Sequence, residues 1–255
     1  MSDFVHLHVH THYSFLDSSV QISPLIQKLG ELGMTSVAMT DHDVMCGAVE
    51  FFKSAKAAGI KPILGYEPTI AHHDATDPED RARYQIVLLA KNDKGYRNLC
   101  RLNHIAHSEG GKTGFPRIAP SHLAEHHEGL ILLTGNLAGD IPQLLVLGRD
   151  DEARERLRFY RDVLGPENVF IELQDHGIAE EQEVLKKLVA LAEQESCPLV
   201  ATNDVHYLQE DDRKAHEVLM AIQLGRCVDW DINPEHRPRG FHLASEEEMV
   251  EKFRE

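Results

Sequence analysis

The chain has 255 residues and a formal net charge of −16, from 26 basic and 42 acidic side chains, which argues against broad nucleic-acid affinity in this chain alone, since that needs a basic surface. Hydrophobic residues at 42% are enough for a substantial core, yet no apolar run approaches a membrane span and the N-terminus lacks a basic-plus-apolar signal pattern. Cys46, Cys100, Cys197 and Cys227 lie far apart with no CxxC pair, as expected of reduced thiols in a cytoplasmic protein, and the 17 histidines together with the acidic balance suit a chain that concentrates divalent cations.

Phe4 to His10 alternates apolar and polar residues, so it reads as a strand on which His6, His8 and His10 project side by side, with His12 in the following loop. Imidazoles crowded in this way are best explained as neutral ligands to a cation. A solvated tag remnant would lack the core-forming Phe4, Val5, Leu7 and Val9 between them. Ser23 and Pro24 read as the N-cap and first residue of a helix carrying Leu25, Ile26, Leu29 and Leu32, stopped by Gly33. Ser36 to Thr40 is a short buried strand running into Asp41-His42-Asp43. A helix over about 47–58 follows, then a third strand from Pro62 that ends on Glu67.

Residues 72–83 read as an exposed polar insertion, with His72 and His73 facing solvent. Tyr84 to Ala90 is the fourth strand, followed by a helix over about 93–107. Gly110 to Pro116 resembles a fragment of a phosphate-binding loop but lacks its spacing and a preceding strand, so it reads as an ordinary connector. Ser121 opens a short helix, and Gly129 to Thr134 is the fifth strand, leading to Gly135-Asn136. Helices near 141–147 and 151–164, a sixth strand at 169–173, a helix over 180–195 and a seventh strand at 198–202 complete the series. Asn203 to Tyr207 then leads to a helix over about 211–224, and Ser245 to Glu248 is a capping box that opens another.

Strand, polar loop and helix repeat seven times. This predicts an α/β fold with a parallel sheet, closed as a distorted seven-stranded (β/α)7 barrel rather than left open. In such barrels chemistry gathers at the C-terminal strand ends, where His8, His10, Asp41, His42, Glu67, Asp204 and His206 all fall. Among the other histidines, His104, His107, His122, His126, His127, His216, His236 and His242 read as surface or packing residues. Trp230 and Tyr207 read as packing, and Asp175 and His176 as residues of the correct rim.

The stretches HLHVHTHYSFLD (6–17), MTDHDVMCGAVEFFKSAKAAGIKPILGYE (39–67), LLAKNDKGYRNL (88–99), EGLILLTGNLAGDIPQLL (128–145) and PLVATNDVHYL (198–208), in this order, make the chain resemble the PHP (polymerase and histidinol phosphatase) domains. Within that family it is similar to those at the N-terminus of bacterial DNA polymerase III alpha subunits. The resemblance spans nearly the whole chain and implies one domain over 1–255, the front piece of a longer DNA-directed DNA polymerase. It implies a cluster of up to three metals held here by His8, His10, Asp17, His42, Glu67, Asp204 and His206. Two family ligand positions are degenerate: Gln85 stands where the family has His, and Asn136 where it has Cys or His. Amides are poorer ligands, so two well-formed sites and a weak or empty third are expected. The ions would be Zn²⁺ or Mn²⁺, with Mg²⁺ and Fe²⁺ open alternatives.

The activity implied is metal-dependent phosphodiester hydrolysis as a proofreading 3′→5′ exonuclease. Asp41, Asp43, His12 or Tyr13 would orient groups around the metals. The rival reading is a catalytically silent metal-binding scaffold that stabilises the polymerase and docks a separate proofreading subunit. A third is a small-molecule phosphatase of the histidinol-phosphate type. The partners implied are a DNA 3′ end, reached through the rest of the polymerase, and other replicase subunits, with no membrane. Nucleotidyl transfer would need acidic residues further along a longer chain.

Overall fold

The structure, a computed structural model, describes residues 4–228 and 239–254; the expectations for Trp230 and His236 lie outside the described residues. Its strands are β1 (Ser36–Met39), β2 (Lys61–Tyr66), β3 (Thr69–Ile70), β4 (Tyr84–Gln85), β5 (Val87–Ala90), β6 (Leu130–Leu133), β7 (Val169–Leu173) and β8 (Leu199–Ala201). Six of them form one curled sheet in the order β1-β2-β5-β6-β7-β8, and β3 pairs with β4 beside it.

The N-terminal segment supplies the seventh wall. It is not a continuous strand but makes bridges to both edges, His6 to Val37 in β1 and Val9 to Val205 beyond β8. Ala38 and Thr40 donate to the carbonyls of His6 and Val9 on one side. On the other, His10 donates to Val205, and Val205 donates to His8. The His6 and Val9 carbonyls both face β1 although they are three residues apart, an odd spacing that breaks the strict alternation expected of a strand. His6 therefore leaves the row of histidines, and its Nε2 lies 2.8 Å from the Ala244 carbonyl.

The sheet is not parallel throughout. β1–β2, β6–β7 and β7–β8 are parallel, but β5 runs antiparallel to both of its neighbours. Parallel neighbours need a long crossover, usually helical, and the chain between β2 and β5 has no helix: it doubles back through the β3–β4 pair. The start of β5, with Gln85 just before it, thus joins the rim formed by the C-terminal ends of the parallel strands.

The 72–83 insertion is mostly exposed, as expected, yet it is ordered around Arg117, whose side chain is fully buried. The Arg117 guanidinium donates to the carbonyls of Ala75 (2.9 Å), Asp77 (2.6 Å) and Asp80. The Asp80 carboxylate accepts from the backbone N–H groups of His72, His73 and Asp74. His73 faces solvent, but His72 is half-buried, with Arg156 donating to its carbonyl.

The helices pack outside: α1 (Ile22–Glu31), α2 (Ala48–Ala57), α3 (Asp93–Ser108), α4 (Pro120–Glu125), α5 (Asp140–Val146), α6 (Asp150–Leu164), α7 (Ala179–Glu195), α8 (Arg213–Gln223) and α9 (Glu246–Lys252). α1 begins at Ile22 rather than after Ser23, which buries Ile22 with Leu25, Ile26 and Leu29. Pro24 still sits in the first turn, where an N–H would have no helical partner. Gly110–Thr113 is a single 3-10 turn. The capping box at Ser245 and Glu248 forms as predicted. Successive strand residues alternate between these helices and the barrel interior. Inside, Ala38, Val87, Leu89 and Leu133 make a small apolar plug, above which the interior turns polar.

Candidate metal centre

Above the plug, His8, His10, Asp17, His42, Glu67, Asp204 and His206 converge. His8 Nε2 lies 3.4 Å from Glu67 and 3.3 Å from Asp204 Oδ1. His10 Nε2 lies 3.1 Å from the same Asp204 oxygen and 3.7 Å from Glu67 Oε2. Asp17 Oδ2 lies 2.6 Å from His42 Nε2 and 3.2 Å from His206 Nε2. Glu67 spans the cluster, with Oε1 toward His8 and Oε2 toward His10 and His42. Two groups have the compactness of a cation site: His10, Asp17, His42 and His206, and His8, His10 and Asp204.

The local sequence explains how these rings are aimed. Asp41 is fully buried and accepts from the Thr11 N–H, the Thr11 hydroxyl (2.8 Å) and the Ser14 hydroxyl (2.8 Å). Ser14 has then spent its only proton, so its Oγ must accept, from His10 Nδ1 at 3.1 Å and from the His42 N–H. This fixes the His10 tautomer and leaves its Nε2 lone pair facing the Asp204 carboxylate. Asp43 bonds the Thr69 backbone and hydroxyl, which tethers the chain just beyond Glu67. Its carbonyl is held by Asn103 and His107 of α3, so His107 is not a purely solvent-facing residue.

Sequence reasoning missed Glu172. Its Oε1 lies 2.7 Å from His8 Nδ1, and it also accepts from Gln174, Thr202 and the Gly135 N–H. The available signal was a carboxylate inside the otherwise apolar strand VFIEL. A carboxylate behind a histidine fixes its tautomer and raises its basicity as a ligand. His216 was also missed: α8 brings its Nε2 within 2.9 Å of the Asp17 carbonyl, a placement no local spacing reveals.

Three of the four non-glycine residues with positive φ among the described residues lie here: Leu16 (61°), Asp43 (53°) and Asp204 (44°). Such strain persists where the surroundings over-determine it, and it clusters at functional sites. Gly135 (φ 79°) passes so close to the Gln85 carbonyl that a Cβ would sit 2.5 Å from it. Gln85 and Asn136 both reach the rim, with Gln85 Nε2 3.3 Å from His42 Nδ1 and Asn136 Nδ2 donating to Asp204 Oδ2 at 3.2 Å.

Other candidates fall elsewhere. His12 is exposed, its Nδ1 nearest the Val20 carbonyl at 3.4 Å, and it lies outside the cluster. Tyr13 lines the cleft mouth but donates to Glu50. His176 is buried with both nitrogens engaged, by Glu181 and the Asn203 carbonyl, and Asp175 caps the Gly177 N–H. Tyr207 packs fully buried, as expected.

The electrostatics are compatible with a bound cation. His10 is stacked between His42 (4.1 Å between ring centres) and His206 (4.4 Å). Burial and these two neighbours lower its pKa to about 3. Burial alone would also push His8 down, but Asp204, Glu172 and Glu67 raise it well above the usual imidazole range. His42 and His206 likewise rise despite burial, through Glu67 and Asp17 for the first and Asp204 and Asp17 for the second. Burial would raise Asp17 and Asp204, yet the surrounding imidazoles hold both well below the usual carboxylate range. Among the described residues no Lys or Arg pairs with Asp17, Glu67, Glu172 or Asp204. The buried Nε2 atoms of His8 and His10, both Glu67 oxygens and Asp204 Oδ1 face one another without a hydrogen bond to any group outside the cluster. Packing so many donor atoms together under cover is costly, and divalent cations fit this donor set.

A pH dependence follows. His8, His42 and His206 carry raised pKa values in the metal-free protein, so a cation taking their nitrogens must displace protons. Metal affinity is expected to climb with pH through and above neutrality rather than level off near 6.5. His10, already neutral, contributes nothing to that climb. Calorimetric titrations with Mn²⁺ at neutral pH, in buffers of different ionisation enthalpy, should show net proton release; buffer-independent heats would contradict it.

The sequence profile of the PHP domain matches residues 6–176. DNA polymerase III subunit alpha of Treponema pallidum is 41% identical over 254 residues, a match covering 98% of this chain and 22% of that protein. The Mycobacterium tuberculosis subunit is 38% identical over 264 residues, with 97% and 22% covered. The Deinococcus radiodurans subunit is 43% identical over 232 residues, with 86% and 17% covered. The chain thus spans about a fifth of the length of these relatives. Among solved structures, an amidohydrolase from Chromobacterium violaceum gives a TM-score of 0.54 at 14% identity, covering 92% of this chain and 93% of its own. A provisionally assigned metal-dependent phosphoesterase from Bifidobacterium adolescentis gives 0.52 at 14% identity, covering 79% and 87%. These two share the fold. No helix of the described residues is long and apolar enough to cross a membrane.

Proposed function

The chain belongs to the PHP domain family, and from that premise we propose that it is the metal-dependent phosphoesterase portion of a replicative polymerase alpha subunit, hydrolysing the terminal phosphodiester at a DNA 3′ end. The observation that carries this reading is the set of five buried ligand atoms on His8, His10, Glu67 and Asp204 that face only one another and their neighbours in the cluster. A pure scaffold would gain by filling that space with apolar side chains.

Asp17, His42 and His206 would hold one ion, and His8, His10, Glu67 and Asp204 a second; His10 has a single free lone pair and would serve only one of them. Zn²⁺ or Mn²⁺ best suits the mixed imidazole and carboxylate donors. Bound ions would lower the pKa of water and neutralise charge on the phosphoryl oxygens. The chain's own part is positional. Asp41 through Ser14 holds His10 in one tautomer, Glu172 holds His8, and Asp43 anchors the chain next to Glu67. The centre opens into a cleft of about 850 Å³, bordered by Tyr13, Asn136, Gln174 and Phe241, room enough for a nucleotide. Other replicase subunits and the remainder of a longer chain would bring the DNA end to it.

One observation favours the silent-scaffold reading. The Gln85 and Asn136 amides contact His42 and Asp204 directly, and so occupy positions a third ion would need. A primer with a mismatched 3′ end, incubated with Mn²⁺ beside a His10→Ala control, separates the two. Metal-dependent trimming that disappears in the control supports hydrolysis; metal bound without trimming supports the scaffold.

A further inference from the structure

We infer that Phe15 forms a nucleobase platform at the mouth of the metal cleft, so that the centre takes a phosphate carrying an adjacent aromatic base rather than a bare phosphate ester. The inference rests on the phosphoesterase reading for the anionic part of its ligand.

Phe15 is 80% exposed, the most exposed large hydrophobic side chain among the described residues. A solvated phenyl ring is not unusual by itself. Its position is what matters: it lines the same cleft as Asp17, His42, Asp204 and His206. The turn that carries it is built with some force. Asp17 N–H donates to the Ser14 carbonyl at 3.0 Å, closing a β-turn with Phe15 and Leu16 at its centre. Leu16 takes φ 61°, a conformation that the third position of such a turn normally reserves for glycine. Ser14 is pinned beneath the turn by Asp41 and His10, and Asp17 by His42 and His206. The phenyl group is therefore presented outward on a turn whose two ends are fixed to the metal ligands.

The cleft lining also includes the apolar side chains of Leu137, Ile178, Met220 and Phe241. Phe241 is already engaged, stacked on His176 at 3.9 Å between ring centres. Phe15 has no aromatic partner among the described residues. A flat apolar face beside a cation-binding centre matches one ligand chemistry, an anionic phosphate joined to a flat π system. Stacking on an aromatic side chain is tolerant of base identity, as removal of any terminal nucleotide would require.

The test compares thymidine 5′-monophosphate with deoxyribose 5-phosphate, which keeps the phosphate and sugar but lacks the base. Binding to the Mn²⁺-loaded protein is measured by equilibrium dialysis. The wild type is expected to prefer the nucleotide by about 5- to 150-fold, the range for one stacked base. Phe15→Ala should lose most of that preference, leave binding of the sugar phosphate unchanged and keep the melting temperature. Phe15→Trp should retain the preference. Equal binding of the two ligands by the wild type, or a preference that survives Phe15→Ala, would overturn the platform. Because the readout is binding, Phe15-dependent discrimination without primer trimming would remove the hydrolytic reading alone. Trimming of normal and abasic 3′ ends that is equally indifferent to Phe15→Ala would remove the platform alone.

Discussion

Glu67→Gln is expected to lower metal occupancy of the purified protein below one ion per chain and to reduce metal-dependent phosphodiester hydrolysis on the order of 10³-fold. Glu67 is fully buried, and its two oxygens face different histidines, Oε1 toward His8 and Oε2 toward His10 and His42. Like His10, it reaches side chains of both candidate groups. The amide keeps the shape but removes the charge and replaces one acceptor with a donor aimed at imidazole nitrogens. Losing the carboxylate that would hold one proposed ion, and that also faces His42 of the other, would forfeit several kcal/mol of transition-state stabilisation. Glu172→Gln is the graded comparison. Among the candidate ligands it touches only the far nitrogen of His8, so a loss of about 10- to 100-fold in metal affinity is expected. Elemental analysis with a metal titration checks both. If Glu67→Gln retained full metal and wild-type trimming, the carboxylate would be a packing residue and the proposed centre would lie elsewhere.

Much of this centre is legible from the chain because its parts obey local rules. HxH on an extended segment, DH after a strand, a strand ending on glutamate and DVH after a strand all place polar groups where the barrel has its rim. What was not legible depended on long-range geometry. His6 shares the period-two spacing with His8 and His10, yet the alternation breaks between His6 and Val9, whose carbonyls both face β1, and His6 turns toward Ala244. The reversed direction of β5 could not be read from its own residues. It follows from the missing crossover helix, and a stretch such as 72–83 can be exposed and polar whether or not the chain doubles back. Arg117 organises that stretch from 34 positions away, which no window of sequence displays. Glu172 was in view as a charge in a buried strand, but its meaning required knowing that β7 faces His8 across the barrel. His12 shows the opposite error: proximity in sequence to three converging residues did not bring it into their cluster.

Restoring the two degenerate positions together, Gln85→His with Asn136→Cys, is expected to raise metal stoichiometry by about one ion per chain. Gln85 lies against His42 and Asn136 against Asp204, and the Gln85 N–H donates to the Ala138 carbonyl, so the two positions are neighbours on the rim, where Glu67 is the carboxylate an added ion would share. Imidazole and thiolate are far better donors to Zn²⁺ or Mn²⁺ than neutral amides. Neither change alone should suffice, since a site of one side chain plus a shared carboxylate falls short of three protein ligands. The double variant also carries a cost. Asn136 Oδ1 accepts the Ala138 N–H at 2.8 Å, and losing that bond should reduce stability by about 1 kcal/mol in the metal-free protein. The added ion should more than offset it, because binding only the folded state stabilises that state in proportion to the logarithm of metal concentration over its dissociation constant. The expected pattern is therefore a lower melting temperature without metal and a higher one with it. If hydrolysis is limited by the missing third ion, trimming of the mismatched primer should rise at least about tenfold in the double variant and stay near wild type in each single one. A stoichiometry unchanged from wild type would show that the amides do not mark a lost site, and that the two remaining groups are all this barrel can assemble.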